Sequence, residues 1–143
     1  MSSTSNTANN LHHVQHQAGG PMAPWNEGGM WVIGGRAGQN VVALSIASND
    51  GGTTLTGQMK YAGEGAIRFR ATLTQSNTYT VENQWGEPTA PWHPGGTWVI
   101  GCRADQNVVA LSIESGDGGV ILTGIVTYNG EGPIGLCATG WPA

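Results

Sequence analysis

The pattern of apolar and polar positions repeats every two residues through most of the chain. Val41, Ala43 and Ser45 alternate with Val42, Leu44 and Ile46, and β-branched residues are frequent among them. Such alternation predicts a half-buried strand. Asp50-Gly51-Gly52 follows, as Asp117-Gly118-Gly119 does later, and both read as hairpin turns because glycine supplies the positive φ that tight turns need. Residues 55–61 and 121–128 are the next strands, with internal glycines at 57 and 124 that predict a bulge or bend. Gly63-Glu64-Gly65 and Gly130-Glu131-Gly132 make further turns, and residues 67–73 and 134–139 close each series. No stretch has the spacing of an amphipathic helix.

The same series occurs twice. Residues 31–52 read WVIGGRAGQNVVALSIASNDGG and residues 98–119 read WVIGCRADQNVVALSIESGDGG. Pairing each residue with the one 67 positions later gives about 37 identities in 60 pairs from Val14 onward, without a gap. The chain is therefore a tandem duplication, with repeat one at about 14–73 and repeat two at about 81–140. One small unit cannot bury its own apolar face, so the two copies are expected to share a core with pseudo-twofold symmetry. The expected fold is all-β: a single compact antiparallel β-barrel of about ten strands, roughly five per repeat, whose closure removes exposed edges. Residues 1–10 are expected to form a flexible tail and 11–143 the domain. Leu73 is matched by Gly140, ahead of a terminal Trp141-Pro142-Ala143. Closure is thus least secured near the termini, where Trp141 is either packed over the barrel end or free.

Composition narrows the function. With 143 residues the chain suits one domain. Five Lys and Arg and a net charge of -4 leave no basic stripe for nucleic acid, and no apolar run is long enough for membrane insertion. Cys102 and Cys137 stand opposite Gly35 and Arg70, so a disulfide is no part of the shared design and idle thiols are expected. The Ser/Thr/Asn-rich start lacks the features of a secretory signal, which points to cytoplasmic synthesis and leaves the site of action open.

Catalytic and metal chemistry find little support. The chain lacks a Gly-x-Ser-x-Gly elbow, and none of His12, His13, His16 and His93 has a histidine as its repeat partner. The His12-His13-x-x-His16 run reads better as polar residues on a frayed first strand than as a metal site. Glu64 and Glu131 are symmetry mates, so they belong to two separate sites rather than to one glycosidase pair. The Asp-Gly-Gly turns offer too few carboxylates for calcium. No cofactor and no catalytic residue are expected. Recognition fares better: each repeat supplies an Arg (Arg36, Arg103), a Glu between glycines (Glu64, Glu131) and a Pro-rich loop leading to Trp (Trp25, Trp92), and repeat two adds Trp85. Indole, guanidinium, carboxylate and close-approaching glycine backbone suit an uncharged polyhydroxylated ligand. The alternatives are an Arg–Glu ion pair that only ties loops together, and Trp25, Trp31, Trp92 and Trp98 as core fillers.

The units QNVVALSI, SxDGG, LTG, Y-x-GEG and VENQWG-x-x-x-APW closely resemble the bacterial and cyanobacterial lectins typified by Oscillatoria agardhii agglutinin. The resemblance spans both repeats and implies a ten-stranded barrel with two metal-free sites at opposite ends. These would bind the branched mannose core of high-mannose N-glycans, including those of viral envelope proteins. Carried over by motif, one site comprises Trp85, Gly86, Arg36, Glu64 and Gly65. The other comprises Ala18, Gly19, Arg103, Glu131 and Gly132, and here the chain departs from the pattern, because Asn83-Gln84-Trp85-Gly86 becomes His16-Gln17-Ala18-Gly19. One strong and one weakened site are expected, in a monomeric lectin without enzymatic activity. The competing readings are a structural or self-association module and a carbohydrate-active enzyme.

Overall fold

The structure, a computed structural model, describes residues 10–140. Its ten strands are β1 (Leu11–Gln17), β2 (Asn26–Val32), β3 (Val41–Ala47), β4 (Thr54–Tyr61), β5 (Ile67–Gln75), β6 (Thr78–Trp85), β7 (Trp92–Val99), β8 (Val108–Glu114), β9 (Ile121–Tyr128) and β10 (Ile134–Gly140). They close into one antiparallel barrel in the order β1-β10-β9-β8-β3-β4-β5-β6-β7-β2. The expected all-β barrel is thus the fold.

The strand order explains why neither repeat stands alone. β1 opens repeat one yet lies between β2 and β10, the last strand of repeat two, while β6 opens repeat two and lies between β7 and β5. Each repeat's first strand therefore borders the other's last. On the pseudo-axis β3 pairs with β8, Ser45 facing Ser112. Cross-repeat hydrogen bonds repeat the symmetry: Asn40 Nδ2 donates to the Gly118 carbonyl and Asn107 Nδ2 to that of Gly51, both at 3.1 Å.

Inward positions fill one core, from Val14 and Trp31 through Leu44, Leu55 and Phe69 to Trp98, Val126 and Ala138. Trp31 and Trp98 are fully buried, and their indole N–H groups donate to the Gly28 and Gly95 carbonyls at 2.9 and 3.0 Å. Each such side chain contributes about 2–3 kcal/mol through burial, and the hydrogen bond avoids the cost of an unpaired indole N–H. The filler role does not extend to the other two tryptophans. Trp25 is 45% exposed, and Trp92 is half-buried on the outer face, with the Arg70 guanidinium 4.4 Å above its ring.

Four expectations need correction. Gly57 and Gly124 mark no bulge, since each holds regular register with its neighbours; a Cβ on either would overlap the carbonyl oxygen of Ser45 or Ser112, so glycine is needed for close strand approach. The bulges lie elsewhere, for example between Val41 and Ala43 and between Val108 and Ala110. Secondly, β1 is not frayed. It is paired on both sides, and His12 and His16 point inward at 2% and 7% exposure. His12 occupies the place of Tyr79: its Nε2 lies 3.4 Å from the Gly119 carbonyl, as the Tyr79 hydroxyl donates to Gly52 at 2.7 Å. Thirdly, closure near the termini is continuous, with register running from His12 opposite Gly140 to Gln17 opposite Gly135. The sparse join is β2 to β7, where only Val32 and Val99 pair. Asn10, assigned above to the tail, is buried; its carbonyl accepts from Ile33 N at 2.8 Å. Residues 1–9 and Trp141 lie outside the described residues. Cys102 and Cys137 are free thiols.

Candidate functional site

Two loops and one strand end assemble the first cleft. Arg36 lies in the loop from β2 to β3, which is held from below because Asn10 Nδ2 donates to the Arg36 carbonyl at 3.0 Å. Arg36 Nη1 donates to Glu64 Oε2 at 2.7 Å and to Gln39 Oε1 at 2.8 Å. Gln39 completes the triangle by donating to Glu64 Oε2 at 3.0 Å and to the Ala62 carbonyl at 2.9 Å. The guanidinium lies 4.0 Å from the Tyr61 ring and 5.4 Å from that of Trp85, and both faces favour a cation electrostatically. The hydrogen bond from Arg36, and then that from Gln39, holds the Glu64 carboxyl below its ordinary range. Burial pushes the Tyr61 phenol up, and its hydroxyl accepts from Gly35 N at 3.0 Å. A charged network results, stiff enough to present fixed donors, and it leaves one acceptor over, since Glu64 Oε1 is buried without a hydrogen-bond partner.

Trp85 comes from the other repeat. Because β6 pairs with β5, Ile67 stands opposite Trp85, which brings the indole to the loops of repeat one. Gln84 braces the loop beyond it by donating to the Pro88 carbonyl at 2.8 Å and to that of Ala90. Gly86 has φ 58, a conformation that side chains resist. Trp85 remains 42% exposed. The space between is an open cleft of about 370 Å³, lined by Gly35, Arg36, Tyr61, Asn83, Trp85 and residues 93–96.

The second cleft repeats the charged triangle. Arg103 Nη1 donates to Glu131 Oε2 at 2.8 Å and Gln106 Oε1 at 2.7 Å, Gln106 Nε2 donates to Glu131 at 2.9 Å, and Arg103 lies 3.9 Å from the Tyr128 ring. Gln17 braces its loop as Gln84 does, donating to Pro21 at 2.9 Å and to Ala23. The platform and walls differ: Ala18 replaces Trp85, His16 replaces Asn83 and Cys102 replaces Gly35. Burial, followed by the nearby Arg103 charge, lowers the His16 pKa.

Of the residues named from sequence, the structure thus joins Arg36, Glu64 and Trp85 in one place and Arg103 and Glu131 in another. Gly65 and Gly132 follow the glutamates in open space, Gly63 and Gly130 being the ones with positive φ. Ala18 and Gly19 sit exposed beyond β1, and Gly86 borders Trp85 rather than the cleft wall. Sequence reasoning missed Gln39 and Gln106, Tyr61 and Tyr128, and the Asn83 and Gly95-Gly96 wall. The signal was present, since the Gln and Tyr pairs are identical in both repeats.

The sequence matches the OAA-family lectin sugar binding domain twice, over residues 10–74 and 77–140. Lectin OAA of Planktothrix agardhii is 60% identical over 90% of this chain and 98% of its own length. Among solved structures, Burkholderia oklahomensis agglutinin superposes with a TM-score of 0.90 at 72% identity, covering 92% of this chain and 47% of that one. The Myxococcus xanthus hemagglutinin, solved in complex with α3,α6-mannopentaose, gives 0.89 at 61% identity, over 91% of this chain and 49% of that one. This chain therefore spans about half the length of some relatives and nearly all of another. With two matched domains covering its described body and charged triangles repeated between them, the chain belongs to the OAA family of lectin sugar binding domains, a carbohydrate-binding family and not a catalytic one.

Proposed function

We propose that the protein binds the branched mannose core of high-mannose N-glycans through two clefts of unequal strength, without a cofactor. The observation that carries this reading is the exposed Trp85 indole set 5.4 Å from a guanidinium already fixed by Glu64 and Gln39. Sugar rings have apolar C–H faces and hydroxyl edges, so an indole takes the face while charged, pre-oriented groups take the edge. Trp85, Gly86, Arg36, Glu64 and Gly65 form the strong site. Ala18, Gly19, Arg103, Glu131 and Gly132 form the weaker one, which keeps the charged triangle and lacks the platform. A relative was solved with mannopentaose bound, which supports this ligand class. Accessible partners are glycoproteins dense in such glycans, viral envelope proteins among them. A closed barrel favours action as a monomer.

Isothermal titration with α3,α6-mannopentaose tests the reading through its stoichiometry. About one strong equivalent per chain is expected. Two equal equivalents would overturn the asymmetry and keep the lectin. Absence of binding by titration and by a second method would leave the Arg–Gln–Glu triangles as loop pins.

A further inference from the structure

Away from both clefts, the outer flank of the barrel holds an open cavity of about 230 Å³. Its polar lining comes from Ser45 of β3, Gln58 and Lys60 of β4, and Ser112 and Glu114 of β8, around Ala43. Register explains the opening. Ala43 stands between Lys60 on one side and Glu114 on the other, as Ser45 stands between Gln58 and Ser112. Small side chains on the middle strand therefore leave a trough between longer ones, with Lys60 and Glu114 two strand spacings, about 10 Å, apart at the backbone. Among the described residues no hydrogen bond or ion pair engages the side chains of Ser45, Gln58, Lys60, Ser112 or Glu114.

The charges nearby are unevenly matched. Of the five Lys and Arg in the sequence, Arg36, Arg70 and Arg103 each pair with a glutamate. Lys60 and Arg68 have no carboxylate partner among the described residues, and both lie on this flank. Arg68 stands opposite Gln58, which makes it a diagonal neighbour of Lys60, close enough for the two to share one anion. The repeat mates of Gln58, Lys60 and Arg68 are Ile125, Thr127 and Gly135, so the symmetry-related flank has neither cation.

We infer that this flank is a third binding site, which takes a single hexose bearing an anionic group, a carboxylate or a phosphate. The anion lies between Lys60 and Arg68, whose charges no protein carboxylate takes up. Ring hydroxyls exchange hydrogen bonds with Ser45, Gln58 and Ser112, which both donate and accept, and Glu114 accepts at the far side. Size and lining set the class. The cavity is smaller than the roughly 300–1,000 Å³ of sites for drug-sized ligands, which suits one ring rather than a chain. No aromatic side chain lines it, so a neutral sugar finds hydroxyl partners without a stacking face, and charge has to supply the selection. The inference goes beyond glycan binding at the clefts and uses none of their residues.

Backbone amide shifts of isotope-labelled protein test this residue by residue. Mannose 6-phosphate and glucuronate are titrated separately, alongside mannose and inorganic phosphate. Saturable shifts at Ala43, Ser45, Gln58, Lys60 and Glu114 are expected with at least one of the two anionic sugars at millimolar concentration, and which of them binds identifies the anion. Mannose and inorganic phosphate each carry half of the recognition and are expected to bind this flank about fivefold more weakly or worse, the order of one exposed charge pair. Lys60→Gln and Arg68→Gln are each expected to weaken the anionic sugar by about the same fivefold. Both variants should leave mannopentaose binding at the strong cleft unchanged. No saturable shift on this flank, affinity for mannose or inorganic phosphate equal to that for the anionic sugars, or affinity unchanged in both variants would overturn the inference. The amides of Trp85 and Gly86 report the strong cleft in the same spectra under mannopentaose, so failure of the glycan reading shows there and leaves the answer from the flank standing.

Discussion

The two clefts share a charged framework and differ in nearly everything laid over it. Arg36, Gln39, Glu64 and Tyr61 recur as Arg103, Gln106, Glu131 and Tyr128, with matching hydrogen bonds that agree within about 0.1 Å. Around them, Trp85, Asn83 and Gly35 give way to Ala18, His16 and Cys102. The framework braces loops, because Gln39 also bonds the Ala62 carbonyl and Gln106 that of Asn129. The brace is kept in both halves, where it ties the loops at each barrel end, whereas the exposed indole of Trp85 has no counterpart at Ala18. Divergence reaches the interior as well as the surface, since His16 is buried against Trp31 and Tyr128 whereas Ala18 is exposed.

Removing the framework from one side should have the largest effect. Arg36→Ala takes away charge-assisted donors and leaves Glu64 uncompensated. Mannopentaose affinity at the strong site should fall by roughly 2–3 kcal/mol, about 30- to 150-fold, read by titration. The corresponding Arg103→Ala should leave the strong site unchanged, and equal losses would dissolve the distinction between the clefts. Trp85→Ala comes next, costing about 2 kcal/mol or about 30-fold as a lost stacking anchor. The converse, Ala18→Trp, should raise affinity at the second cleft by about tenfold, or about 1.4 kcal/mol. If the stoichiometry stays near one in that variant, either the loop has been assigned to the wrong place or Cys102 blocks the cleft. The double variant with Cys102→Gly separates these.

Acid sharpens the contrast by the smallest margin. Burial lowers the pKa of both His12 and His16, the Arg103 charge adding to the effect at His16. Between those lowered values and the ordinary histidine value of about 6.5 the unfolded chain binds more protons, so stability is complete above about pH 6.5 and declines as pH falls below it. Urea unfolding at pH 7 and pH 5 should show the decline, and His16→Asn, which installs the repeat-mate residue, should reduce it. Glu64 and Glu131 are held below the ordinary carboxylate range by Arg36 and Arg103. Their stabilising ionised form persists at pH 5 and is lost only on further acidification through the lowered values. Strong-site binding should therefore survive pH 5, and early loss of it would assign the acid sensitivity to the wrong groups.

The histidines show where reading the sequence fell short. The run LHHVQHQ places His12, Val14 and His16 on one face of β1, and alternation alone favoured a strand. Imidazoles on an inward face looked like a frayed edge because burying them requires partners that the local sequence does not name. Of the two carbonyls beside His12, that of Asn10 is local, whereas that of Gly119 lies 107 residues away. Likewise Gly57 looked like a bend until Ser45 of the neighbouring strand was seen to occupy the space a Cβ would need.

By itself the sequence determined the duplication, the strand period, the turns and the repeated Arg and Glu candidates, because alternation, glycine chemistry and repeat identity are local properties. The missing Trp at Ala18 was equally legible, being a simple mismatch between aligned repeats. Only the tertiary structure decided that β1 and β6 each border the other repeat's last strand, which carries Trp85 to Arg36. It also decided that Tyr61 and Gln39 belong to the site, that β2 and β7 form the sparse join, and that Cys102 shares a ring with His16 and Arg103. These facts are set by barrel closure, which brings together residues far apart in sequence through strand order and register, and neither is encoded in any one stretch.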